Sequence, residues 1–311
     1  MIDEQTFNAE IASNEEPRQI KAIKTVAERG SISLIKALIP LLRHPNRNVA
    51  REAVISSANL IRRQLVEAWS DIDKGVKDGL ATLLKRLDPI VIDHIAAGLK
   101  SDDEDVRLRS LQVLGLLGQS DKIKQVVSEM LTDNDEKMRA TAVSVLKEML
   151  GGKDLSLIYR VLHDPDPRVR ANSVEALEMA GNKTVVPTLA SLRRDPNNRV
   201  RGNVLKALYL LGFKKIDTDI REMVEHKNHL MRATAFWVLG EISRCGAEDW
   251  MTDVAGEYGF DRHSLVRQNA IKTLIKINSD FSKQLCKFMF VPQEIKNAIQ
   301  DMERMAKLRG K

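Results

Sequence analysis

One arrangement of apolar and polar positions recurs along the chain. A polar turn containing Asp, Asn or Pro is followed by an apolar residue, an arginine, and then apolar positions at helical spacing. The pattern reads Asp103-Glu104-Asp105-Val106-Arg107, Asp135-Glu136-Lys137-Met138-Arg139 and Asp166-Pro167-Arg168-Val169-Arg170. It returns as Asn197-Asn198-Arg199-Val200-Arg201, Asn228-His229-Leu230-Met231-Arg232 and His263-Ser264-Leu265-Val266-Arg267. The six arginines are spaced 32, 31, 31, 31 and 35 residues apart, and near-constant periods of this length mark repeat architectures. Counted from each arginine, offset +7 is always leucine: Leu114, Leu146, Leu177, Leu208, Leu239 and Leu274. Offset +4 is Leu111, Val143, Val174, Leu205, Phe236 and Ile271, so one buried helix face is predicted after every arginine. Offset +3 is small or slim (Ser110, Ala142, Ser173, Val204, Ala235, Ala270), which lets neighbouring helices approach closely.

A second, shorter apolar segment precedes each polar turn, as in Ile123–Leu131, Leu155–Leu162, Val185–Leu192 and Ile216–Val224. Gly118, Gly151-Gly152, Gly181, Gly212 and Gly246 sit where helices should stop. The Asp164-Pro165 and Asp195-Pro196 turns should break one helix and cap the next. Sustained period-2 alternation is lacking, so strands are not predicted. The organisation expected is all-α, an α-α superhelix of about seven to eight helix pairs forming a single solenoid. Residues 1–69 carry degenerate repeats and 89–278 the regular ones. An inserted helix, Asp73 to Leu87, lies within 70–88 after a polar break at Ser70-Asp71. Residues 279–311 form a closing cap, from apolar Phe281–Phe290 and a helix begun by Pro292.

Asp164-Pro165-Asp166-Pro167-Arg168-Val169-Arg170 and the Ala/Leu helix after it resemble a bacterial HEAT repeat of the phycobilisome-lyase type. The resemblance covers about 101–278 strongly and 17–69 weakly. It implies a one-dimensional stack in which each helix pair touches only its neighbours. It also implies a polar ladder in which Arg107, Arg139, Arg170, Arg201, Arg232 and Arg267 are structural. Asp103, Asp135 and Asp166 are the expected acid partners. Asn197, Asn228 and His263 replace them later, so the ladder is expected to weaken toward the C-terminus.

Composition narrows the function classes. The chain has 311 residues, 43% hydrophobic and 30% charged, which fits a folded protein. Aromatics are only 4%, so Leu, Ile, Val, Ala and Met must build the core. The net charge is +6, unevenly spread: 101–150 holds seven basic and ten acidic residues, 251–311 eleven and seven. So small an excess permits an acidic partner without requiring nucleic acid. Cys245 and Cys286 lie far apart with no metal-binding spacing and are expected to be reduced, mostly buried thiols. The start, Met1-Ile2-Asp3-Glu4, lacks the features of a signal peptide, and no apolar run approaches the roughly 18–20 residues of a membrane span. The expected location is cytoplasmic, with no membrane partner.

Catalytic signatures are missing: no phosphate-binding glycine loop, no HExxH, no Gly-x-Ser-x-Gly. No cofactor is expected. His44, His163, His226, His229 and His263 fall in or beside turns, where a surface metal or pH-sensitive site is one reading and solvated histidines the other. The binding candidate is the concave face lined by the second helix of each pair. There Asn203, Lys206, Tyr209, Trp237, Asn269, Lys272 and Lys276 gather in the C-terminal half. An exposed Trp among lysines suits a protein hot spot or a base-stacking platform; alternatively Trp237 fills a groove between repeats. Arg193, Arg194 and Arg199 on a turn edge are candidates for phosphate or acidic contacts. The function expected is a non-enzymatic scaffold for another protein, one with an acidic or amphipathic segment. One alternative is nucleic-acid binding, favoured by the concave basic-aromatic patch, with DNA-glycosylase chemistry implied by resemblance to some HEAT-like proteins; a chromophore-lyase role is a third and rests on resemblance alone.

Overall fold

A computed structural model describes residues 4–150, 155–246 and 248–309, without the side chains of Glu4, Leu150 and Arg309. The expected glycine stop at 151–152, the first three residues, and Arg309 and Lys311 of the basic tail lie outside this description. Among the described residues there are nineteen α-helices and no strand. Contacts divide the chain into two units, Met1–Met149 and Leu150–Lys311. The first unit holds α1 (Glu4–Ile11), α2 (Glu16–Arg29), α3 (Ile35–Leu38), α4 (Arg47–Glu67), α5 (Lys74–Leu87), α6 (Val91–Ala97), α7 (Glu104–Leu116), α8 (Asp121–Glu129) and α9 (Glu136–Leu150). The second holds α10 (Ser156–Arg160), α11 (Pro167–Met179), α12 (Val186–Ala190), α13 (Asn198–Leu210), α14 (Asp217–Val224), α15 (His229–Ile242), α16 (Asp249–Tyr258), α17 (Ser264–Ile277), α18 (Asp280–Met289) and α19 (Pro292–Arg309).

In each unit short first helices alternate with long second ones. The second helices begin where the polar turns predict, because in five of the six repeats the turn residue four before the arginine caps them. Asp103, Asp135, Asp166, Asn197 and Asn228 accept from backbone N–H groups of the first turn at 2.7–3.0 Å. Asn46 does the same for α4. His263 supplies no side-chain cap. Gly118, Gly181, Gly212 and Gly246 follow helices with φ of 92°, 65°, 99° and 116°, a region that favours glycine. The six offset +7 leucines are fully buried, and so are the +4 residues. The small +3 residues are equally buried, at the contacts between helices.

A further helix occupies the segment where the repeat period is interrupted. α4 runs to Glu67, a tight turn spans Trp69–Asp71, and α5 buries Leu80, Ala81 and Leu84. The apolar residue before each arginine is buried at Met138, Val169, Val200, Met231 and Val266. At Val106, the first repeat after the insertion, it is only half-buried.

Over the segment expected to cap the chain lie α18 and α19, with Ala298, Cys286 and Phe290 inward. Phe281 and Phe288 point outward, Phe288 being 89% exposed. Of the two cysteines only Cys286 is buried; Cys245 is exposed, because it sits in the turn after α15 rather than on a packed face. Burial pushes the Cys286 thiol pKa up.

Candidate functional site

Several of the row's arginines form ladder rungs, and in the second unit the acids are not the capping ones. Arg170 gives Nε and Nη2 to Asp195 at 2.8 and 3.0 Å, and Arg232 binds Asp261 in the same way at 2.6 and 3.0 Å. Arg267 reaches Glu294 of the cap at 2.9 Å. In each case the remaining Nη1 donates to two carbonyls of the arginine's own turn, such as Asp164 and Pro165 for Arg170. Arg107 sits 3.6 Å from Asp135 of the following repeat. The acid in the two strongest rungs stands six residues before the next arginine. It also accepts from the backbone N–H of the next capping residue, at 2.8 Å for both Asp195 and Asp261. One carboxylate thus closes a turn and clamps two repeats. Asp166 caps its own helix and pairs with Arg168 instead, so the ladder does not weaken toward the C-terminus as the capping residues suggested. The Arg232 guanidinium holds the Asp261 carboxyl below the usual carboxylate range, against its partial burial.

One rung is broken. Six residues before Arg232 stands His226, whose Nδ1 accepts from the Asn228 N–H at 3.0 Å. The tautomer that accepts there carries its proton on Nε2, so the ring offers Arg201 no lone pair. Arg201 turns instead to Glu222 at 3.1 Å and stays buried, with Nε lacking any hydrogen-bond partner.

Several charged side chains on the second-helix face of the second unit are paired with one another. Lys206 meets Glu178 at 3.0 Å, Lys276 meets Glu241 at 2.7 Å, and Lys272 binds Asp301. Arg199 donates to Asn172 and Glu175, each at 3.1 Å, and Asn203 donates to Glu175 at 2.9 Å. Asn269 donates to the Ala233 carbonyl at 2.8 Å. Burial raises the Glu178 pKa, partly offset by the Lys206 cation. Offsets +2 and +5 therefore face the neighbouring second helix, where polar side chains meet one another before they meet solvent. Tyr209 and Asn203 are buried, so neither offers a surface ring or amide. The Tyr209 hydroxyl donates to Glu248 of the next pair, and burial together with that bond raises its pKa. Trp237 is half-buried, its ring 5.5 Å from Lys206 Nζ and against Gly202. On the turn edge Arg193 is committed to Asp219 and Arg199 to Glu175; Arg194 is exposed, with no partner among the described residues.

His229 and His263 stack face to face, centroids 3.8 Å apart. Among the described residues no group of three or more His, Cys, Asp or Glu is placed to hold a metal, and no helix is long and apolar enough to cross a membrane. The feature that sequence reasoning passed over is the acid at minus six. It was visible as Asp133, Asp164, Asp195 and Asp261, at one constant distance before the following arginines.

Residues 155–218 match the family model for HEAT repeats. No curated protein matches the chain. Among solved structures, the chain is similar to the complex of CpcE and CpcF of phycocyanin lyase from Nostoc sp. PCC7120. The identity is 16%, with 82% of this chain and 93% of that one covered, and the TM-score is 0.42. It is similar to Kap121p at 12% identity and TM-score 0.44, over 96% of this chain and 43% of that one. A designed armadillo repeat protein matches at 17% identity and TM-score 0.35, over 68% of this chain and 100% of that one.

Proposed function

We propose that this chain, a protein of HEAT repeats, is a non-enzymatic scaffold that binds a segment of another protein along the second helices of its C-terminal unit. The observation that carries this reading is Trp237. Its ring is half-open to solvent and fixed between Gly202 and the Lys206 cation, on a face whose other polar groups are already held by cross-helix bonds. An anchor held in one conformation loses little entropy on binding. The face carries as many acids as cations in its pairs, so it favours a partner read by shape and apolar contact over a polyanion. An amphipathic segment suits it better than a purely acidic one.

The test is a pull-down from extract with the wild-type chain and Trp237→Ala, with and without nuclease. Lys272 is left intact, because it ties α17 to Asp301 of the cap. A true anchor costs at least about 2 kcal/mol on truncation, roughly a thirtyfold loss of affinity. Leu177→Ala serves as the stability reference, at about 2–5 kcal/mol. A partner unaffected by nuclease and lost with Trp237→Ala supports the reading. Nucleic acid recovered in a salt-sensitive way, or identical partners for both proteins, overturns it.

A further inference from the structure

We propose that the first unit holds a binding site for a small organic oxyanion, in a cavity of about 400 Å³ whose lining includes Asn59, Arg62, Val66, His94, Ile95 and Val106. The site goes beyond the scaffold reading and is independent of it. It lies where the repeat is interrupted. The inserted helix α5 ends at Asp88, which is buried and accepts from the Ile90 N–H at 3.1 Å. The other Asp88 oxygen receives His94 Nδ1 at 2.6 Å and lies 3.5 Å from Arg62 Nη1. Arg62 is steadied further by Nη2 donating to Asn59 Oδ1 at 2.7 Å. A buried carboxylate supplied by the insertion thus fixes two polar groups of the cavity, the Arg62 guanidinium and the His94 ring.

Both line the cavity and retain unused hydrogen-bonding capacity. Arg62 Nε and His94 Nε2 have no partner among the described residues. The neighbouring Arg63 is spent: it donates to the Ala27 and Gly30 carbonyls and pairs with Glu67. The apolar part of the lining comes from Val66, Ile95 and Val106, beside Ser110 and a Glu67 carboxylate already paired with Arg63. The packing argument is internal to the molecule. In five other repeats the residue equivalent to Val106 is buried, whereas Val106 is left half-exposed by the gap. Such a gap costs stability that a larger side chain could recover, and tolerated costs of this kind cluster at functional sites.

The chemistry selects the ligand class. Arg62 donates only. With Nδ1 committed to Asp88, His94 Nε2 is left to make one hydrogen bond with a ligand oxygen or hydroxyl. An oxyanion on a small apolar body satisfies both polar groups and covers the apolar wall, and Asp88 provides the countercharge when the site is empty.

The probe is phenyl phosphate, titrated into the full chain while the His94 ring resonances are followed by NMR, assigned with His94→Gln. Inorganic phosphate is the parallel arm. Saturable shifts are expected with phenyl phosphate. Arg62→Met should weaken binding about tenfold or more, since it removes a charged donor. Val66→Trp, which fills the cavity and leaves Asp88, His94 and Arg62 untouched, should abolish it. Two variants on separate walls keep the test informative if one fails to fold, which a circular-dichroism melt reports. No saturable shift in the wild type overturns the proposal. So does inorganic phosphate binding as tightly as phenyl phosphate, or wild-type affinity in both variants.

Discussion

Replacing His226 by aspartate should stabilise the protein, although it puts a charge into a half-buried turn. In the intact rungs one carboxylate accepts from the next capping N–H and from two arginine nitrogens, as Asp195 does for Asn197 and Arg170. His226 performs the first task at 3.0 Å and cannot perform the second. Arg201 is already buried, so its desolvation is present in the wild type, with Nε unsatisfied. Supplying an acceptor removes a penalty of about 1–3 kcal/mol for an unmet buried donor. Desolvating the new carboxylate and weakening the Glu222 contact offset part of this, leaving a net gain of about 1–2 kcal/mol. For a unit of this size that is a rise in melting temperature of roughly 2–8 °C. The assay is thermal and urea unfolding of His226→Asp beside His226→Asn, which keeps the turn acceptor without the charge. The gain should be present at neutral pH. It should fade as pH falls through the lowered folded-state pKa of the new carboxylate, because protonation removes the acceptor that Arg201 needs. A His226→Asp protein no more stable than His226→Asn would refute the account of the ladder.

Asp195→Asn keeps the turn acceptor but leaves Arg170 without its carboxylate; a loss of about 3–5 kcal/mol is expected in urea unfolding, as for other broken buried pairs. Gly202→Ala should destabilise by about 1–3 kcal/mol, since its new Cβ would clash with Thr234 Cγ2 on the neighbouring helix, and a calorimetric melt would register it. Arg232 depresses the Asp261 pKa, so this pair contributes stability that is full above the unfolded carboxylate value near about 3.9 and is lost as pH falls through the folded one. The acid limb of a pH–stability curve should therefore be shallower in Asp261→Asn than in the wild type.

Periodicity and turn chemistry were enough to place the helices, because both are local. The +7 leucines and +4 residues could be read as core from spacing alone, and Asp103 or Asn197 as caps from their place before an apolar run. The inserted helix at 74–87 was also legible, since it breaks a period that is otherwise constant. What a side chain does after leaving its own helix was not. Lys206, Lys272 and Lys276 have the spacing of a solvent-facing row, and only the adjacent helix brings Glu178, Asp301 and Glu241 to them. Tyr209 carries no mark in the sequence that separates a surface ring from one buried against the next pair. The partner of each ladder arginine lies a whole repeat away, so the choice between the acid at minus four and the one at minus six is made by helix stacking. Asp88 and His94 meet Arg62 of α4 for the same reason, since that contact is made between helices and no spacing along the chain encodes it. Local sequence determined which residues are helical and which stripe of each helix is apolar; the register between stacked helices decided which polar groups are paired and which remain open.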